Sequence, residues 1–191
     1  MTTIVGYVED GVTYMGGDCA AYGDGAIHLL AHDKVGIKGE FLIGAAGTLG
    51  VLQIVGYDTI FPPLYEGQDV LEYLISTLVP TIKSTLEDNG YLRNENGIES
   101  MDATVMIGLR GRLFEIDSGF GVFERKGDNF LAIGSGSHFA LGALEAMKTV
   151  DVDPIDRVRK ALEVASRFDA ATQPPFSLVT SKGEEMEFTY D

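Results

Sequence analysis

The chain has 191 residues, 45% hydrophobic and 23% charged, enough to bury one sizeable core, and a single domain spanning residues 1–191 is the expectation. Fourteen Lys and Arg against 29 Asp and Glu give a formal net charge of -15, which argues against a general affinity for nucleic acid or anionic lipid. A lone cysteine, Cys19, excludes an internal disulfide framework and a CxxC zinc cluster and points to a reducing, cytoplasmic compartment, and no apolar run approaches the ~20 residues of a membrane span.

The start of the chain reads as a β-hairpin: Thr3 to Val8 and Val12 to Asp18 are rich in β-branched and aromatic residues, and Asp10-Gly11 between them accepts positive φ. Cys19 to Gly25 reads as a loop, and strand composition resumes from Ala26 to Lys38 and Phe41 to Ala46 around a turn at Gly39. Thr48 to Tyr57 has helical apolar spacing, closed by Pro62-Pro63. From Asp69 a one-sided stripe (Leu71, Leu74, Ile75, Leu78, Val79, Ile82, Leu86) predicts a helix ending at Asn89-Gly90, with a bend at Pro80. After a polar stretch from Arg93 to Ser100, strands are expected at Ala103 to Leu109, Arg112 to Asp117, Gly121 to Arg125 and Asn129 to Ile133. Helices follow at about Ser137 to Met147 and Ile155 to Phe168, and a last hairpin pairs Phe176 to Thr180 with Glu185 to Tyr190 across Lys182-Gly183. Antiparallel hairpins with helices in pairs imply an α+β layered domain, each helix pair covering one face of a sheet while the sheets pack together.

Several residues carry chemical potential. Removal of Met1 leaves Thr2 with a hydroxyl beside its own α-amine, whose unperturbed pKa of ~8 makes it a usable base. Lys34, in Ala31-His32-Asp33-Lys34-Val35, reads by itself as a solvent-facing strand lysine; held near a nucleophile, its cation lowers the amine pKa and favours an ionised hydroxyl. Asp18, after Gly16-Gly17, reads as a turn-capping aspartate or as the partner of that lysine. Ile43-Gly44-Ala45-Ala46-Gly47-Thr48 runs from a strand into a helix, a place for an unobstructed backbone N–H donor or for close packing.

Thr2-Thr3-Ile4-Val5, Gly17-Asp18, Asp33-Lys34-Val35, Ile43 to Gly47 and Ala132-Ile133-Gly134-Ser135-Gly136-Ser137 together resemble the proteasome β-subunit family and its bacterial relative HslV. Asp18 and Lys34 stand 16 and 32 residues after Thr2, the family's own offsets. The resemblance runs from Thr2 to the final hairpin, is diffuse between about Phe61 and Ser100, and implies a four-layer αββα N-terminal nucleophile (Ntn) hydrolase sandwich. It implies Thr2 as nucleophile and base, Lys34 as electrostatic activator, Asp18 as its partner, Gly44 N–H as oxyanion donor, and Ser135 and Asp169 hydrogen-bonding around the Thr2 amine. His32 and Gly36 would line the first specificity pocket. Tyr22 and Thr172 depart from the family's usual threonine and serine.

The function implied is a threonine-type endopeptidase in homo-oligomeric stacked rings, acting on peptides or unfolded proteins with a separate ATPase unfoldase. Two other readings are a small-molecule amidase with the same chemistry and a non-catalytic ring subunit, the latter favoured if Met1 is retained. No cofactor is expected. His28 and His138 have no ligand neighbours in sequence, so no metal site is read, and Cys19 reads as a buried thiol.

Overall fold

The computed structural model describes residues 2–23 and 25–189. Met1, whose removal the sequence reading requires, lies outside them, as does Tyr190 of the last expected strand.

Two five-stranded antiparallel sheets form the centre. One has the order β12-β1-β2-β13-β14, with β1 Thr3–Glu9, β2 Val12–Asp18, β12 Phe130–Gly134, β13 Phe176–Thr180 and β14 Glu185–Phe188. The other has the order β11-β10-β9-β6-β5, with β5 Val35–Lys38, β6 Phe41–Gly47, β9 Ala103–Leu109, β10 Arg112–Ile116 and β11 Val122–Phe123. Asp10 and Gly11 both take positive φ, as the β1–β2 turn requires.

The period of two along each strand divides the core into layers. On β1, Val5 and Tyr7 point to one side, where they meet α4 (Ser137–Ala146) and α5 (Pro154–Phe168) through Ala140, Leu144, Val158 and Leu162. Ile4, on the opposite face, packs with Met15, Leu42, Met106 and Leu113 between the sheets. The outer face of the second sheet, through Ile43, Val105, Ile107 and Phe114, is covered by Val51, Tyr73, Leu78 and Ile82 from the other helices. The architecture is therefore the expected four-layer αββα sandwich. The helices of this outer layer are α1 (Leu49–Gln53, running into a π turn at Ile54–Asp58), α2 (Val70–Tyr73) and α3 (Val79–Asp88). Asp69 caps α2 by accepting from Glu72 N at 2.8 Å, and Asp153 caps α5 by accepting from Ile155 N at 2.9 Å.

Three local expectations are corrected. Cys19 to Gly25 is not simply a loop: β3 (Ala20–Gly23) and β4 (Ala26–Leu29) make a separate ribbon, so the long strand expected from Ala26 to Lys38 is broken before β5. The polar stretch forms a second ribbon, β7 (Arg93–Glu95) with β8 (Ile98–Ser100). Both ribbons are held by backbone ladders with little burial, so they leave no apolar alternation to read. The bend anticipated at Pro80 is a π turn over Leu74–Leu78, which leads into α3 with Pro80 in its first turn, where a missing N–H is tolerated.

Candidate active site

Antiparallel pairing brings several strand ends to one edge of the sandwich. Thr3 pairs with Gly134, Phe176 pairs with Asp18, and Val35 pairs with Gly44, so the start of β1, the end of β2 and the start of β5 converge. Thr2, Asp18 and Lys34 are all buried there, with Lys34 in the bend just before β5 rather than within a strand.

Lys34 Nζ donates to Thr2 Oγ1 at 2.8 Å, to Asp18 Oδ2 at 2.9 Å and to the carbonyl of Ala20. Asp18 also accepts from Thr3 N at 2.8 Å and from Ala20 N at 3.1 Å. Burial pushes the Asp18 carboxyl above its ordinary value, while the Lys34 ammonium and those two N–H groups act in the opposite direction. A buried ion pair is costly to desolvate, so this one survives through its full set of hydrogen bonds and fixes the cation's position against Thr2 Oγ1.

On the other side of Thr2, its nitrogen donates to Ser135 Oγ at 3.3 Å, and Ser135 Oγ donates to Asp169 Oδ2 at 2.6 Å. Thr172 also donates to Asp169 Oδ2, at 2.8 Å, and its hydroxyl lies 2.6 Å from Thr3 Oγ1. Thr172, read from sequence as a departure, thus supplies a hydroxyl donor to Asp169. Burial would raise Asp169, but hydrogen bonds from Ser135, Thr172 and the Ala171 N–H hold it below its ordinary value. The Gly-Ser-Gly run follows from close approach: a Cβ on Gly134 would lie 1.9 Å from Thr2 O, and one on Gly136 2.2 Å from Thr3 Oγ1.

Gly44 is corrected. Along β6, Ala45 N donates to Lys34 O on the β5 side at 3.3 Å, so the alternation of an antiparallel strand turns Gly44 N–H toward its partner Met106 on β9. A Cβ on Gly44 would lie 2.6 Å from Ile4 and 3.0 Å from Met15 Sδ, which makes it a packing glycine between the sheets. The same alternation, with Thr48 N donating to Asp102 O at 2.8 Å, turns the N–H of Gly47 to the Lys34 side. Gly47 has φ +140 and ends β6, and its glycine-threonine junction with a helix was the available sequence signal.

Beside Lys34 lies a cleft of about 140 Å³, lined by His32, Gly36, Lys38, Ala45, Leu52 and Gln53 among others. His32 and Gln53 side chains stand 3.5 Å apart, and a Cβ on Gly36 would meet nothing within 4 Å. Lys38 Nζ donates to Gly56 O at 2.9 Å and to Thr59 O. Tyr22 is 54% exposed on β3. Burial pushes the Cys19 thiol up, so it is a poor nucleophile. Among the described residues no His, Cys, Asp and Glu cluster could hold a metal ion.

No family model matches the chain. The ATP-dependent protease subunit HslV of a Nitratiruptor species is 29% identical over 183 residues, covering 94% of this chain and 96% of that protein. Among solved structures, Thiobacillus denitrificans BPH matches with a TM-score of 0.80 at 22% identity over 100% of both chains. The same protein in complex with epoxomicin matches with a TM-score of 0.77 at 21% identity, over 99% of this chain and 100% of that one.

The packing role of Gly44 and the Asp169 shift lead to measurable outcomes. Gly44→Ala should destabilise the protein by about 1–3 kcal/mol in urea unfolding, as expected of overpacking, and a neutral result would remove the packing assignment. Asp169, with its folded pKa depressed, contributes stability that is complete above its ordinary value of 3.8 and is lost as pH falls through the folded value. The stability advantage of wild type over Asp169→Asn should accordingly be flat near neutrality and shrink in strong acid.

Proposed function

Because this chain belongs to the proteasome β-subunit and HslV family of Ntn threonine peptidases, we propose that Thr2 Oγ1, freed for catalysis by removal of Met1, is the nucleophile that cleaves peptide bonds. The protein is a threonine-type peptidase of a protease assembly. The observation that carries the assignment to Thr2 is the 2.8 Å contact between Lys34 Nζ and Thr2 Oγ1 inside a buried ion pair.

In this mechanism the free α-amine of Thr2 takes the Oγ1 proton as the oxygen attacks the scissile carbonyl, and the Lys34 ammonium stabilises negative charge on that oxygen. Gly47 N–H, on the Lys34 side of β6, receives the oxyanion of the tetrahedral intermediate. Collapse leaves an ester on Thr2 Oγ1 and passes the proton from the amine to the leaving amino group; water then hydrolyses the ester with the amine again as base. Ser135, oriented by Asp169, accepts from the Thr2 nitrogen and holds it in place, and Asp18 keeps Lys34 aimed. The completeness of this constellation disfavours the non-catalytic ring subunit, and the likeness to protease subunits disfavours the amidase.

The cleft lined by Lys34 and Gly36 is the proposed pocket for the substrate side chain preceding the cut, with His32 in its lining. The proposed setting is a cytoplasmic homo-oligomeric ring assembly fed with unfolded protein by a separate ATPase; the relatives' name, ATP-dependent protease subunit HslV, supports the dependence on ATP and on an assembly of subunits. No helix of the described residues is long and apolar enough to cross a membrane.

Thr2→Ala should abolish peptide hydrolysis with assembly intact, and Lys34→Arg should lose about 100-fold or more because a planar guanidinium cannot reproduce the ammonium's contacts. Full turnover in either variant contradicts the mechanism. Gly36→Leu should block cleavage after large side chains and spare cleavage after alanine; equal loss on both peptides would place the pocket elsewhere. The pH–rate profile should rise at or below neutral pH, since the Lys34 cation pulls the α-amine below its unperturbed ~8, and a limb centred well above ~8 would remove Lys34 from this role.

A further inference from the structure

We propose that Asp102 is a positioning residue for the Gly47 N–H, acting through Thr48. This inference rests on the peptidase reading above. Asp102 immediately precedes β9 and grips Thr48 twice: its carbonyl accepts from Thr48 N at 2.8 Å, and its Oδ2 accepts from Thr48 Oγ1 at 2.7 Å. The two backbones are pressed together, since a Cβ on Gly47 would stand 2.4 Å from Asp102 O and 2.5 Å from Ala103 Cα. The turn at Gly47 is therefore set by its fit against Asp102, and its N–H faces Lys34 as a result.

The use Thr48 makes of its hydroxyl is the telling feature. Thr48 occupies the N-cap of α1, where a threonine hydroxyl ordinarily accepts from an N–H in the first turn, yet it makes no side-chain cap hydrogen bond. It turns to Asp102 instead. The arrangement thus forgoes a contribution to helix stability and fixes the turn that carries Gly47.

Charge balance fits the same purpose. The Asp102 carboxylate brings a negative charge to the junction that carries Gly47, and a neighbouring cation offsets its field, an effect that water screens because both side chains are more than half exposed. Arg93, from the outer ribbon, lies 2.9 Å from Asp102 Oδ2. The ribbon's approach also brings Tyr91 against the start of α1, where a Cβ on Gly50 would stand 2.3 Å from the Tyr91 hydroxyl oxygen. A segment that belongs to neither main sheet thereby braces the strand-to-helix junction.

The test compares Asp102→Ala, Asp102→Asn, Thr48→Val and Thr48→Ser in the assembled protein on one fluorogenic peptide. Asp102→Ala and Thr48→Val should lower kcat about tenfold, a part of the ~100- to 1000-fold that loss of a whole oxyanion donor costs. KM and the position of the rising pH limb should stay as in wild type, because neither the pocket nor the amine is touched. Asp102→Asn and Thr48→Ser, which keep the acceptor and the donor, should retain most of the rate. Should Asp102→Ala fail to assemble, Thr48→Val decides, since it leaves the Asp102–Arg93 pair in place. A kcat within twofold of wild type in Thr48→Val, or a loss that appears in KM or as a shifted pH limb, overturns the inference and leaves the peptidase reading standing. Absence of hydrolysis by the wild type overturns both.

Discussion

The buried ammonium of Lys34 is the constraint on which the rest of the site depends. An ion pair withdrawn from water is sustained only where its hydrogen-bonding capacity is filled, and here Asp18, the Ala20 carbonyl and Thr2 Oγ1 surround Lys34. Those partners come from the end of β2, from β3 and from the residue before β1. Loss of any one would leave a buried charge short of a partner, so the ion pair ties the position of Thr2 Oγ1 to the docking of the two sheets.

That docking is close because small residues stand where the sheets meet. Gly44 admits Ile4 and Met15, and a Cβ on Gly6 would lie 2.7 Å from both Leu113 and Met106. The same tolerance recurs at the edge, where Gly134 and Gly136 let the chain around Ser135 touch Thr2 and Thr3. Sheet packing and the arrangement around Thr2 thus draw on one requirement, the close approach of backbones.

Much of this was legible in the amino-acid sequence, for physical reasons that differ by residue. The main hairpins and helices showed because their faces are buried on one side, which imprints a period on the apolar residues. Asp18, Lys34, Ser135 and Asp169 showed through spacing and resemblance, and the structure brings them together around Thr2. The N–H that faces the Lys34 side lies three residues beyond Gly44, and a run of two glycines and two alanines does not reveal which N–H the sheet ladder leaves on that side; only the register of β6 between β5 and β9 decides it. Thr48 and Asp102 were illegible for the same reason, since their contact spans 54 residues and carries no periodic signal. Thr172 was read as a departure, and its hydroxyl proves to bond Asp169 directly.

The central claim is that one residue, Thr2, supplies both the attacking oxygen and the base. A peptide epoxyketone tests it most directly, because its ketone and epoxide carbons can be captured together only by a hydroxyl and an amine carried on the same residue. Intact-mass and peptide-mapping analysis of the treated protein should show a chain lacking Met1, with one reagent molecule joined to Thr2 through both Oγ1 and the α-nitrogen. A chain that keeps Met1, or an adduct found on another residue, would contradict the account.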